Sequence, residues 1–311
     1  VILHNFRAGV VDRLGLDYDS VRAINPSIVY TVISGFGAKG PRSADPAYDG
    51  AVQAAAGMMA NNGTAESGPL RTGYMPVDLM TGMTAAYATT AALLRKQKTG
   101  KGQMVDVAML DCAITLGSAN FSRSEVDDIP DMLIGNQSIT SAPTASSFPT
   151  AEGSILTAAI MPNHVEAFFD EIGLKEMLND PKFASREARI ENKEIVRDAM
   201  IEALKSDTAE NWEKRLAPRG VPVAKINSVK ETARLEQLQY RNILTAVPAA
   251  KGMANGYKLP GAPFTNSEDG PEVMRPAPVL GQHTVEILEE IGIDKSTIST
   301  LAAEGVICKA D

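Results

Sequence analysis

The chain has 311 residues, 44% of them hydrophobic and 22% charged, and 30 Lys and Arg stand against 38 Asp and Glu for a formal net charge of −8. That composition excludes a chain that is disordered throughout, and a length near 300 is where a single core stops growing and two domains are expected. The acidic balance argues against non-specific binding to nucleic acid or anionic membrane, and no apolar run approaches the ~20 residues of a bilayer span.

In chain order, residues 1–6 read as the end of a strand, 17–25 as a short helix and 27–36 (SIVYTVISGF) as a β-branched apolar strand. Strand, helix and strand in succession imply a parallel sheet. Residues 37–50 form a turn-rich loop leaving the carboxyl end of that strand, the place where open α/β sheets put their ligands. A helix over 51–60 and a loop over 61–76 lead to a long helix over 78–98. That helix has Asp78 on its N-cap side and Arg95, Lys96 and Lys98 in its last turn, where cations suit the helix dipole.

Residues 103–110 read as a further strand and 110–121 as an apolar helix; 123–147 is polar and irregular and reads as an interdomain linker. The pattern then changes to a strand from Phe148, helices over 164–173, 186–204 and 209–217, a strand over 221–228 and a helix over 229–244. Residues 256–278 form a return path punctuated by Pro and Gly, and two helices near 283–292 and 296–304 close the chain. The expected organisation is a large α/β domain starting over 1–135, a small α+β domain over 148–245, and a return segment with terminal helices over 246–311 packing on the large domain.

The P-loop signature, Gly-x-Ser-x-Gly and His-Glu-x-x-His are all missing from the sequence. Three scattered histidines, His4, His164 and His283, do not make a metal cluster. His164 and His283 read as capping or surface residues at helix starts, and His4 on its strand stays open. Cys112 and Cys308 lie far apart in no metal-ligand spacing and read as thiols of a reducing compartment, so cytoplasm is the expected location. The opening run VILHNF, with no Met before it, reads as an N-terminally truncated start.

What remains is carboxylate chemistry. At a helix start Asp78 is expected to be ionised at neutral pH and held by amide hydrogen bonds, which suits a nucleophile; from position alone it reads first as an N-cap.

The segments VILHNFRAGVVDRLG, INPSIVYTVISGFGAKGP, DPAYDGAVQAAAG, VDLMTGMTAAYATTAALLRKQKTGKGQMVDVAMLD and LGQHTVEILEEIG together resemble the class III CoA-transferase family, which includes formyl-CoA and carnitine CoA-transferases and the 2-methylacyl-CoA racemases. The resemblance implies a Rossmann-like parallel sheet with a smaller α+β domain inserted, two protomers interlocked as a homodimer, and coenzyme A as co-substrate with no metal. It places the nucleophile at Asp78 and CoA contacts at Asn5, Phe6, Val10 and Arg13. Without it, Asn5 reads as a strand-end turn residue and Phe6 as a core aromatic.

In the loop DPAYDG the racemases carry a histidine before the aspartate; here Tyr48 precedes Asp49, as in the transferases. Tyr, with a pKa near 10, is a poor general base. The expected reaction moves CoA from an acyl-CoA to a carboxylic acid through an aspartyl anhydride and an aspartyl-CoA thioester, with Asp78, Tyr48 and Asp49 as the catalytic group. Amides of 73–78 are expected to meet the oxyanion and the 123–147 segment to close the site; Arg42 and Arg71 are the visible cations for an acceptor acid, though from position they read first as solvated loop charges. Against the family's glycine-rich gating loop, LIGNQSITSAP shows only Gly135, which puts a tetraglycine lid in doubt. The alternatives are a racemase-type isomerase of the same fold and a non-catalytic CoA-binding fragment.

Overall fold

The computed structural model describes residues 1–127, 130–249, 252–270 and 275–309. Its contacts divide the chain into two compact units, Val1–Ala224 and Lys225–Asp311. In chain order the first unit opens with β1 (Ile2–His4), α1 (Val10–Arg13), α2 (Tyr18–Ile24), β2 (Val29–Ser34) and α3 (Asp49–Ala55). A small hairpin of β3 (Gly63–Thr64) and β4 (Gly68–Pro69), the long α4 (Pro76–Thr99) and β5 (Gln103–Ala108) follow.

β1, β2 and β5 form a parallel sheet in that order, with Ile2 opposite Tyr30 and the β2–β5 pairing running from Val29 opposite Gln103 to Ser34 opposite Ala108. β2 is the middle strand, which is why Val29, Tyr30, Thr31 and Val32 are all buried and its sequence reads as a continuous run without alternation. The architecture is α/β on a parallel sheet, as the strand, helix, strand order implies.

α4 is positioned by its ends and by its small residues. Pro76 occupies its first turn, and Gly100 at φ 72 ends it, with its N–H bonded to the Lys96 carbonyl. Ala85 and Ala92 are fully buried, so the helix lies close to the sheet, where Ala85 packs with Val107 and Cys112. Thr31 Oγ1 and Thr89 Oγ1, 2.7 Å apart, share a hydrogen bond between strand and helix.

The apolar helix expected over 110–121 is two, α5 (Met109–Leu116) and α6 (Ser118–Asp127), broken at Gly117, a residue of low helix propensity that serves as the C-cap of α5. The strand expected from Phe148 is a hairpin of β6 (Ser147–Pro149) and β7 (Ser154–Thr157), followed by α7 (Pro162–Glu171), α8 (Pro181–Ala184), α9 (Arg186–Glu191), α10 (Lys193–Leu204), α11 (Ala209–Leu216) and β8 (Val223–Lys225). The sheet order is β6-β7-β8. Its core gathers Phe148, Phe168, Phe169, Met200 and Trp212. The single helix expected over 186–204 is interrupted at Asn192, whose Nδ2 donates to the Ala188 and Lys182 carbonyls and so competes with the helical ladder.

The second unit holds α12 (Val229–Thr232), α13 (Glu236–Tyr240), the antiparallel pair β9 (Leu244–Val247) and β10 (Tyr257–Pro260), α14 (Thr284–Glu290) and α15 (Lys295–Ala303). The helix expected over 229–244 is thus two short helices and the start of a strand, and the return path over 256–278 begins with a strand. Residues 271–274 of that path lie outside the described residues. Among the described residues no helix is long and apolar enough to cross a membrane.

Candidate functional site

A cavity of about 480 Å³ opens at the carboxyl ends of the three parallel strands. Asn5 to Ala8 continue from β1, Gly35 from β2 and Met109 from β5, and all of them line it. The loop 43–48 forms another wall, and Asp78, Thr81 and Gly82 of α4 a third. This is the crevice expected of an open α/β sheet. Gly35 makes the crossing possible: a Cβ there would stand 2.2 Å from the Ala47 Cβ, so no side chain fits between the end of β2 and the loop that carries Tyr48.

The electrostatics of the site turn on how α4 begins. Its N-cap is Met75, which offers no capping side chain, and Asp78 is the third residue of the helix. The N-cap expected at Asp78 is therefore corrected. The carboxylate that caps α4 comes from α3: Asp49, 6% exposed, accepts from the amides of Val77 (2.9 Å) and Asp78 (3.0 Å) through Oδ2. Its Oδ1 accepts from Gln53 Nε2 at 2.5 Å. Asp49 also lies in the first turn of its own helix, so it faces the positive ends of two helices.

Among the described residues no hydrogen bond reaches the Asp78 carboxylate, which points at the cavity from an exposed position. Partial burial, and then the charge of Asp49, push its pKa above the ordinary carboxylate value. The expectation that backbone amides hold Asp78 is corrected by this geometry, because the amides hold Asp49. The Val77 and Asp78 amides, expected to meet the oxyanion, are occupied by Asp49, and the Leu79 amide bonds the Met75 carbonyl.

Asn5, Phe6 and Tyr48 join Asp78 around the cavity. Phe6 is 53% exposed and Tyr48 79% exposed, so neither is a core aromatic. Phe6 stacks on the His4 ring, and its amide donates to His4 Nδ1 at 3.2 Å. Val10 and Arg13 are the first and last residues of α1 and line neither this cavity nor the one beside it. A second cavity of about 480 Å³ lies beside it, sharing Phe6, Arg7, Ala8, Ser34 and Ser43. Arg42 is engaged by Asp45 at 2.8 Å and lies over the Phe36 ring, while Arg71 lies beside Gly50 at the start of α3.

Sequence reasoning missed Arg7, which lines both cavities, and the buried Gln53, whose signal was its place four residues after Asp49 on one helix. Of the segment expected to close the site, 128–129 lie outside the described residues; beyond them Gly135 donates its N–H to the Gly63 carbonyl at 2.7 Å. Among the described residues no group of three His, Cys, Asp or Glu stands ready to hold a metal ion.

The sequence profile of CoA-transferase family III matches residues 1–284. The chain is similar to an acyl-CoA transferase of Fusarium pseudograminearum, at 31% identity over 99% of this chain and 67% of the relative. It is similar to an acetyl-CoA:oxalate CoA-transferase of Acetobacter aceti, at 32% identity over 93% and 73% of the two chains. A succinate–glutarate CoA-transferase of Agrobacterium fabrum matches at 29% identity over 94% and 72%. Among solved structures, a CAIB/BAIF family protein from Brucella suis superposes with a TM-score of 0.80 at 26% identity, covering 93% of this chain and 74% of that one.

Proposed function

The chain belongs to CoA-transferase family III and works on acyl-CoA thioesters, and we propose that Asp78 is the group that holds first the acyl chain and then CoA as CoA passes from the donor acyl group to an acceptor acid. The observation that carries this reading is a carboxylate free of hydrogen bonds, facing a cavity at the strand ends, while a second carboxylate, Asp49, takes the helix amides. A carboxylate left without donors keeps its electron density for attack, and a raised proton affinity makes it a better nucleophile once ionised.

In the proposed sequence an Asp78 oxygen attacks the thioester carbonyl, the C–S bond breaks, and CoA leaves as thiolate, giving a mixed anhydride. The thiolate then attacks the aspartyl carbonyl and releases the donor acid as carboxylate, giving an aspartyl-CoA thioester. The acceptor carboxylate attacks that thioester and the thiolate leaves. It returns to the acceptor's acyl carbonyl, regenerating the Asp78 carboxylate and releasing the new acyl-CoA.

Each addition develops an oxyanion, and with the first α4 amides committed to Asp49 the Tyr48 hydroxyl on the cavity wall is the donor we assign to it. CoA would run along Asn5 and Phe6 toward α1, where Val10 and Arg13 lie. The relatives named for oxalate, succinate and glutarate transfer support a small carboxylic acid as acceptor, and Arg7 is the cation of the cavity wall suited to it.

The test is to trap the intermediate. Incubation with an acyl-CoA followed by hydroxylamine should leave a hydroxamate on Asp78, located by mass spectrometry. Asp78→Ala should abolish both trapping and transfer, and Tyr48→Phe should trap about 10²-fold more slowly. Full transfer by the alanine variant would overturn the reading.

A further inference from the structure

We infer that Gln53 is a positioning residue for the transfer reaction, acting through Asp49 and Thr72 to fix where Asp78 stands. The inference rests on the proposed role of Asp78 and extends it to a residue that touches neither the cavity nor a substrate.

Gln53 is 1% exposed, and its amide is used on both sides. Nε2 donates to Asp49 Oδ1 (2.5 Å) and to Thr72 Oγ1 (3.0 Å), and Oε1 accepts from the Thr72 amide (3.0 Å). The Thr72 hydroxyl in turn donates to the Tyr74 carbonyl at 2.9 Å. Asp49 passes the constraint on to the amides of Val77 and Asp78. One side chain therefore ties the loop that leads into α4 and the first turn of α4 itself to the same point on α3.

The chemistry of this link needs a primary amide. Two donors and an acceptor must act from one buried group, and the donor toward Asp49 must be present while that carboxylate is ionised. An apolar residue of the same length packs there but satisfies none of these groups, leaving the Thr72 amide and one Asp49 oxygen without partners. A buried polar network is worth little as stability compared with apolar packing, so its value lies in fixing one arrangement of the groups it joins. With the link broken, Asp49 gains freedom to rotate and the helix start carrying Asp78 can shift. A displacement of about 1 Å at a reacting group is enough to cost ~10²-fold in rate.

The experiment compares Gln53→Met and Gln53→Glu with the parent chain in steady-state transfer, in hydroxylamine trapping and in thermal unfolding. For Gln53→Met, kcat and the trapping rate should fall about 10 to 100-fold while KM for the acyl-CoA changes less than about threefold. For Gln53→Glu the loss should be greater at neutral pH, where a second carboxylate faces Asp49, and should be relieved as the pH falls. A protonated carboxyl restores one donor to Asp49 and an acceptor for Thr72.

The charged groups near position 53 are Asp49 on its own helix, Asp78 on α4, and Arg71 beside Gly50. The parent lacks the second carboxyl, so the variant-to-parent ratio reports the proton held between the introduced carboxyl and Asp49. As the pH falls, that ratio should rise by about tenfold for each pH unit until the introduced carboxyl is protonated.

If Gln53→Met does not fold, Thr72→Val removes the hydroxyl links alone and should lower kcat by about three to tenfold. Parent-like kcat in the folded variants, or KM and kcat changing together with no pH-dependent recovery in Gln53→Glu, would overturn the inference. Should the parent chain itself leave no hydroxamate on Asp78, it is the proposed function that fails, and trapping in the parent separates the two.

Discussion

The two layers of the first unit bury their residues differently. Around Phe148, Phe168, Phe169 and Trp212 the chain builds one continuous apolar cluster, and the buried Arg189 within that layer is satisfied by the Phe183 and Ala184 carbonyls. Beside the parallel sheet the apolar clusters are small, one around Val52 and Val77 and another around Ala85 and Val107. The same layer buries the polar side chains of Thr31, Asp49, Gln53 and Thr81. The first layer buries polar side chains too, Thr144, Ser146, Thr157 and Arg189, but against a large apolar cluster; the cavity layer buries a carboxylate, Asp49, beside small ones, and so gives up stability to hold it in place.

That contrast predicts opposite outcomes for substitutions in the two layers. Phe168→Ala should lower stability by about 3 to 5 kcal/mol in denaturant unfolding, because Phe168 is fully buried, and should leave transfer per folded molecule unchanged. A large fall in kcat of the folded variant would erase the distinction between the layers. Gly35→Ala should do the reverse. Its methyl group would meet the Ala47 Cβ, force the 43–48 loop off the end of β2 and move Tyr48, lowering kcat/KM by about 10²-fold. Its loss of stability should be smaller than that of Phe168→Ala; a parent-like kcat/KM would show that the wall tolerates a shift.

How much of this was legible in the sequence follows the same division. The β-branched run SIVYTVISGF and the helices around it specify a parallel sheet, and the loop after such a strand marks the cavity, because both are local consequences of chain order. Asp78 was legible as a carboxylate at a helix start. What was not legible is which carboxylate caps that helix: Asp49 lies 29 residues earlier in sequence and reaches the Asp78 amide only through the packing of α3 on α4. Gln53 was hidden for the same reason, since its partner Thr72 lies in a loop 19 residues away. The breaks at Gly117 and Asn192 were missed because the apolar period continues through both.

The smallest effect expected is at Asp78 itself, and it is the most direct check that the cavity layer sacrifices stability. Burial and the charge of Asp49 raise the folded-state pKa of Asp78 above the ordinary 3.8. A group with a raised folded-state value binds its proton more tightly when folded, so its contribution to stability is fully present below the unfolded value and is lost as the pH climbs through the folded one. Above that interval the ionised side chain is a net burden. Asp78→Asn removes the charge and should therefore unfold at a higher temperature than the parent at pH 7, with the difference disappearing below about pH 4. Because the side chain is exposed toward the cavity, solvent screens much of the penalty, and the gain should stay under about 1 kcal/mol. Equal stability at acid pH with a less stable variant at pH 7 would mean that the Asp78 carboxylate supports the fold, which would remove the contrast between the two layers at the residue where it matters most.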